Sequence, residues 1–129
     1  VTMLNSEKIK FSETHQWILL NEGDVASIGI SDYAQNSLGD VVYVELPLLG
    51  SVFESGEQCG VVESVKTASD LFIPVAGEVI AVNELLRERP ELINELPQET
   101  WIFKVKVMDA RLIEALMSQA QYLEFVEKE

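Results

Sequence analysis

At 129 residues, 47% of them hydrophobic, the chain is long enough for one domain with its own core and too short for two. Twenty-two acidic against nine basic residues give a formal charge of -13, which excludes nucleic acid and an anionic membrane face as partners. No apolar run approaches the roughly 20 residues of a membrane span, and a lone cysteine, Cys59, excludes an internal disulfide and fits a reducing compartment. The N-terminus has neither the basic flank nor the apolar stretch of a secretory signal, so a soluble chain is expected. Val1 in place of Met points to processing or a cloning remnant.

Strand signals run through most of the first 107 residues, in short segments rich in β-branched residues and bounded by Gly, Pro, Asp or Asn. The first is Val25 to Ile30. In "SDYAQNSLGD", Ser31 is placed to N-cap a short helix and Gly39 to end it in a left-handed conformation. Strands follow at Val41 to Leu46, Cys59 to Val65, Leu71 to Val75 and Glu78 to Val82. In "NELLRERPELIN", Asn83 caps a turn or two before Pro90 forces a restart, and Asn94 is a stop. Trp101, Phe103, Val105 and Val107 alternate with Ile102, Lys104 and Lys106, the period of two that buries one face and leaves the lysines to water. The C-terminal "DARLIEALMSQAQYLEFVEKE" carries Leu112, Leu116, Ala120 and Leu123 at helical spacing behind Asp109 as N-cap. Ser118 with Gln121 has the form of a capping box, which divides the segment into two helices. The sum is a β-sandwich or barrel with helical coverings.

The chemistry is narrower. There is one histidine, His15, no Cys-x-x-Cys, no glycine-rich phosphate loop and no placeable Ser/His/Asp set, so an enzyme is not expected. Cys59 reads as a small apolar strand residue, because no neighbouring base would lower its pKa. Lys66 stands apart. The nearest basic residues are Lys10 and Arg87, so positions 11 to 86 hold one positive charge against twelve carboxylates. An even spread would place about five basic residues in that window. Val61, Val62 and Val65 precede the lysine and Leu71, Phe72, Ile73 and Val75 follow it, so Lys66-Thr67-Ala68-Ser69 is expected as a tight turn between buried strands. A modifying enzyme that must acylate one amine is served by such a turn. Acylation removes the ammonium charge and leaves the stem as a tether for a group carrier.

"GVVESVKTASDLFIPVAGEVIAVN", Gly60 to Asn83, resembles the lipoyl-attachment segment of the glycine cleavage system H proteins. "DVASIGISDYAQNSLGDVVYVELP", "PELIN" and "WIFKVKV" resemble that family's other segments in the same order, covering roughly nine-tenths of the chain. Biotinyl carriers usually flank the lysine with methionines, whereas Lys66 lies between Val65 and Thr67.

The resemblance implies a mainly β barrel-sandwich hybrid of two antiparallel sheets, like lipoyl and biotinyl domains, with short peripheral helices. It implies a single lipoyl-carrier domain over 1–129, core about 8–108 and a C-terminal helical segment about 109–127. Lipoate would be held covalently on Lys66, with Glu63, Ser64, Val65, Thr67 and Asp70 as the recognised attachment turn and Glu13, Thr14, His15 and Gln16 as walls of a groove for the arm. The implied function is to shuttle the aminomethyl group of glycine between enzymes, as a carrier and not a catalyst. The implied partners are the pyridoxal-phosphate glycine decarboxylase (P protein), the tetrahydrofolate-dependent aminomethyltransferase (T protein), dihydrolipoyl dehydrogenase (L protein) and a lipoate ligase or lipoyl/octanoyl transferase. A monomer is implied, in the bacterial cytoplasm or the mitochondrial matrix. The alternatives are a lipoate relay or redox lipoyl carrier, and an unmodified interaction domain.

The chain departs from the family at three places. Gln16 stands where the family commonly has a glutamate that holds the amine of the loaded arm, with Glu13 or Asp70 as substitutes. Gln98-Glu99-Thr100 replaces a longer Tyr/Gly-rich approach to the tryptophan, and Ser37 replaces a histidine.

Overall fold

The computed structural model describes residues 8–129. The N-terminal residue noted above lies outside them. Among the described residues, nine strands form two antiparallel sheets. β1 (Lys10–Phe11), β2 (Gln16–Leu20), β3 (Val25–Ile30), β9 (Phe103–Val107), β8 (Gly77–Val82) and β5 (Val52–Phe53) make one, in that spatial order. β4 (Val41–Glu45), β6 (Gln58–Ser64) and β7 (Ala68–Phe72) make the other. Five short helices lie around them: α1 (Asp32–Leu38), α2 (Leu85–Glu88), α3 (Leu92–Glu95), α4 (Arg111–Glu114) and α5 (Gln119–Glu127). Among the described residues, no helix is long and apolar enough to cross a membrane.

The sandwich closes on Ile18, Ile28, Val62, Leu71, Phe103 and Val105, all essentially without solvent contact. A second cluster of Ile9, Phe11, Trp17 and Tyr122 sits on the outer face of the larger sheet, covered by α5. Trp17 lies opposite Gly29 across the β2–β3 pair. A methyl group on Gly29 would come within 2.6 Å of the indole, so the glycine makes room for the ring.

Several expected elements shift for identifiable reasons. β4 ends before Leu46, because the residue preceding Pro47 is turned away from a further ladder. β7 begins at Ala68 and ends at Phe72, not Val75: Pro74 breaks the ladder, although Ile73 and Val75 remain buried. The turn tip is Val65–Lys66, narrower than the expected tetrad, since Ala68 and Ser69 already pair with Glu63 and Val62. Ile102 does not alternate outward with the lysines. It precedes β9, its N–H donates to Ile28 O at 2.7 Å, and it is fully buried. Asn94 is no helix stop. It sits inside α3, where its amide donates to Gly39 O at 2.8 Å and its Oδ1 accepts from Val41 N at 2.8 Å.

At the C-terminus, the capping box of Ser118 and Gln121 forms and starts α5, so the phase of the helical pattern resets there. Leu112 and Leu123 are therefore exposed, and Ile113 and Tyr122 are buried in their place. The strands β1, β2 and β5 carry no clear alternation and were outside the expected set.

Candidate functional site

Lys66 projects from the tip of the β6–β7 hairpin, which is closed by Ser64. The Ser64 N–H donates to Thr67 O at 2.7 Å, and the Ser64 hydroxyl donates to the same oxygen at 3.1 Å while accepting from Thr67 N at 3.1 Å and Lys66 N at 3.3 Å. The serine side chain thus satisfies polar groups that a two-residue tip leaves open. Val65 N donates to Asp40 O at 3.0 Å, tying the tip to the segment after α1. That segment is fixed by the three hydrogen bonds of Asn94 to Gly39, Val41 and Gln35.

Gly39 ends α1 with φ of +80°, a conformation that disfavours side chains. A Cβ there would lie 3.5 Å from Lys66 Cε, so the aliphatic stem runs over bare backbone. The lysine is exposed and makes no ion pair among the described residues. Val65 beside it is 70% exposed, an apolar marker on an acidic surface.

Beside this turn lies a cavity of about 350 Å³. Thr67, Ser69 and Asp70 form one wall, Tyr33, Ser37 and Leu38 of the α1 segment another, and Thr14, His15 and Gln16 a third, with Ile30 and Val62 among its apolar lining. Glu129 reaches it from beyond α5. Of the four groove residues expected from sequence, three are here. Glu13 opens instead on a separate cavity with Phe11, Ile73, Pro74 and Met117. Of the attachment-turn residues, Thr67 and Asp70 line the cavity, and the exposed Glu63 pairs with Ala68. Asp70 Oδ1 accepts from Gln58 Nε2 at 3.0 Å. Ser37 is in the wall, whereas the Gln98–Thr100 segment is not, and Thr100 donates to Leu92 O at 3.1 Å.

Gln16 is almost fully buried and turned onto its own turn. Its Oε1 accepts from the hydroxyls of Ser12 and Thr14, and its Nε2 donates to Thr14 O at 3.0 Å. His15, at φ of +74°, sends its ring outward to Tyr122 and Glu129. Cys59 is buried, and desolvation pushes its thiol up to about 12, so it is inert. Among the described residues no group of three or more His, Cys, Asp or Glu is arranged for a metal.

A single acylable amine on a rigid tip, next to a cavity of mixed polarity, is the arrangement of a tethered-group carrier. The family profile described as Glycine cleavage H-protein matches residues 9–129. The chain belongs to the glycine cleavage H-protein family. The glycine cleavage system H protein of Marinobacter nauticus is 49% identical over 122 residues, covering 94% of each chain. That of a Thermus thermophilus strain is 52% identical over 120 residues, covering 92% of this chain and 93% of the relative. The crystal structure of a glycine cleavage system H protein from Mycobacterium marinum aligns with a TM-score of 0.81 at 30% identity, covering 95% of this chain and 96% of that one.

Within this H-protein frame, sequence reasoning missed Tyr122, Glu129 and Asn94. The capping box at Ser118 places Tyr122 one turn into α5, which is a usable signal; Asn94 and Glu129 have none, because their roles depend on contacts more than 50 residues away in the chain.

Proposed function

We propose that Lys66 carries a lipoyl group and that the chain works as an aminomethyl carrier of glycine cleavage, serving as a co-substrate with no turnover of its own. The observation that carries this reading is the pairing of the exposed Lys66 tip with the adjacent cavity in a chain of the H-protein family.

The residues present fit such a group. The Ser64 network holds the tip at one geometry, which keeps the amine where a ligase can acylate it. Gly39 leaves the stem free to swing over backbone between solvent and cavity. Ile30, Leu38 and Val62 offer an apolar lining that excludes water from an aliphatic arm, and Thr67, Ser69 and Asp70 supply hydrogen-bonding groups along one side. When bound, the lipoyl group supplies the thiol–disulfide chemistry by which an aminomethyl group is taken up and given away. The protein contributes position, shielding and charge.

The partners that follow are the glycine decarboxylase, the aminomethyltransferase and the dihydrolipoyl dehydrogenase of the system, with a lipoate ligase or octanoyl transferase to install the group. A charge of -13 steers the carrier toward basic docking faces. The relatives named above are bacterial, which supports a bacterial cytoplasm as the compartment.

The test is intact mass after incubation with lipoate ligase, ATP and lipoate. Wild type gains one lipoyl unit and Lys66→Ala gains none. An unmodified wild type, with a standard lipoyl domain modified in the same tube, would overturn the reading.

A further inference from the structure

The cavity beside Lys66 is lined by two carboxylates, Asp70 on β7 and Glu129 just beyond α5. Position 16 contributes no charge, and both the oxygen and one amide hydrogen of Gln16 are already taken by Ser12 and Thr14. Glu13 is turned to another cavity. A loaded arm ends in a primary amine that takes up a proton, and a cation in a partly enclosed site requires a counter-charge.

Glu129 is held in place by side chains from three other parts of the chain. Its Oε1 lies 3.2 Å from His15 Nε2, while His15 Nδ1 lies 2.6 Å from the hydroxyl of Tyr122. That hydroxyl is 2.7 Å from Ser31 Oγ, the side chain that caps α1. Phe11 stacks on the Tyr122 ring with centroids 4.4 Å apart. With Nδ1 accepting and Nε2 donating, every donor in this chain points one way: Ser31 to Tyr122, Tyr122 to His15, His15 to Glu129. The contact engages Oε1 and leaves Oε2 for a cation. Both His15 and Glu129 line the cavity, so the carboxylate is presented to the arm and not to bulk solvent alone.

We propose that Glu129 is a positioning residue for the loaded arm: together with Asp70 it supplies the negative charge that position 16 lacks, and His15 and Tyr122 aim it. The residue just beyond α5 is therefore a working part of the site's wall. This inference rests on the reading of Lys66 as the lipoyl-lysine.

The experiment uses the lipoylated full chain, with intact mass recorded before loading. Absence of lipoate on Lys66 at that stage overturns the underlying reading and this inference together. The arm is reduced to the dithiol with a phosphine, which leaves as its oxide, and is then loaded with formaldehyde and ammonia: thiol, aldehyde and ammonia condense to an S–CH2–NH2 group, forming one C–S and one C–N bond and releasing one water. The lifetime of the loaded mass is followed without any partner enzyme. Glu129→Gln shortens it by about threefold to tenfold at low salt, and the gap narrows at high salt. Glu127→Gln, outside the cavity, leaves it unchanged. The double variant Gln16→Glu with Glu129→Gln restores it, which a purely structural role for Glu129 does not predict. Amide hydrogen exchange over Phe125–Lys128 slows on loading in wild type and not in Glu129→Gln. A wild-type lifetime in Glu129→Gln, with loss confined to Asp70→Asn, would overturn the inference, as would failure of the double variant to recover.

Discussion

Replacing Ser64 by alanine tests how the carrier holds its amine. The hydroxyl makes three contacts, to Lys66 N at 3.3 Å and to Thr67 N and O at 3.1 Å each. Two of the groups left behind are amides on an exposed tip, where water replaces the lost partner. Each contact is therefore worth the low end of the usual range, about 0.5 kcal/mol, and the sum is about 1–2 kcal/mol. The backbone bond from Ser64 N to Thr67 O and the Glu63–Ala68 pair remain, so the hairpin persists and only its tip loosens. Thermal unfolding should fall by roughly 3–6 °C for a chain of this size. A tip destabilised by about 1 kcal/mol is also less populated in the geometry the ligase needs, which lowers kcat/KM for lipoylation about fivefold. Ser64→Thr, which keeps an oxygen at the same position, recovers most of both. An alanine variant that melts with wild type and is lipoylated at the wild-type rate would refute the idea that Ser64 presets the turn.

Three further perturbations follow from the same structure. Tyr122→Phe keeps the stacking on Phe11 but loses hydrogen bonds to His15 and Ser31; it should destabilise by about 2 kcal/mol in denaturant titration, while Leu123→Ala, at an exposed position on the same helix, costs under about 0.5 kcal/mol. Gly29→Ala drives a methyl into the Trp17 indole, displaces the ring from its bond to Pro97 O at 2.8 Å, and should cost about 3 kcal/mol with a shift in tryptophan fluorescence; an unchanged spectrum and stability would contradict the packing. Burial raises Cys59 from 9.0 to about 12, and desolvation with the Glu129 charge raises Tyr122 above 10.0 against the bond from Ser31. Both groups hold their protons longer folded than unfolded. Their stabilisation is complete below pH 9 and is lost as pH rises from 9 toward 12, so urea midpoints should fall across that window and fall less in Cys59→Val.

How much was legible depended on whether the signal was local. The cap at Ser31, the helix end at Gly39, the capping box at Ser118 and the alternation of Phe103, Val105 and Val107 are all written within a few residues, and the structure follows them, although Gly39 takes φ of +80° with ψ of -156°, outside the left-handed helical region. Lys66 was visible through charge depletion, its place in a polar turn between apolar runs, and the resemblance of Gly60 to Asn83 to an attachment segment. The C-terminal stripe of Leu112, Leu116, Ala120 and Leu123 misled, because a helix break at Ser118 resets the phase. β2 was hidden because Gln16, Trp17 and Ile18 are all buried, two against different cores and one against its own turn. The cavity wall was the least legible part. Glu129 meets His15 across 114 positions, and Asn94 meets Gly39 across 55, distances at which one sequence carries no pairing signal. The neutral Gln16 looked like a gap in the groove; the fold shows a carboxylate arriving from the other end of the chain.

The proposed role as an aminomethyl carrier rests on one lysine, Lys66. Its most direct test is the exchange of labelled bicarbonate into the carboxyl of glycine by a pyridoxal-phosphate glycine decarboxylase, with this chain as the carrier. Exchange should rise and saturate with the lipoylated chain and stay at background with the unlipoylated chain or with Lys66→Arg. Equal exchange with Lys66→Arg, or none with a fully lipoylated chain beside an active reference carrier, would contradict it.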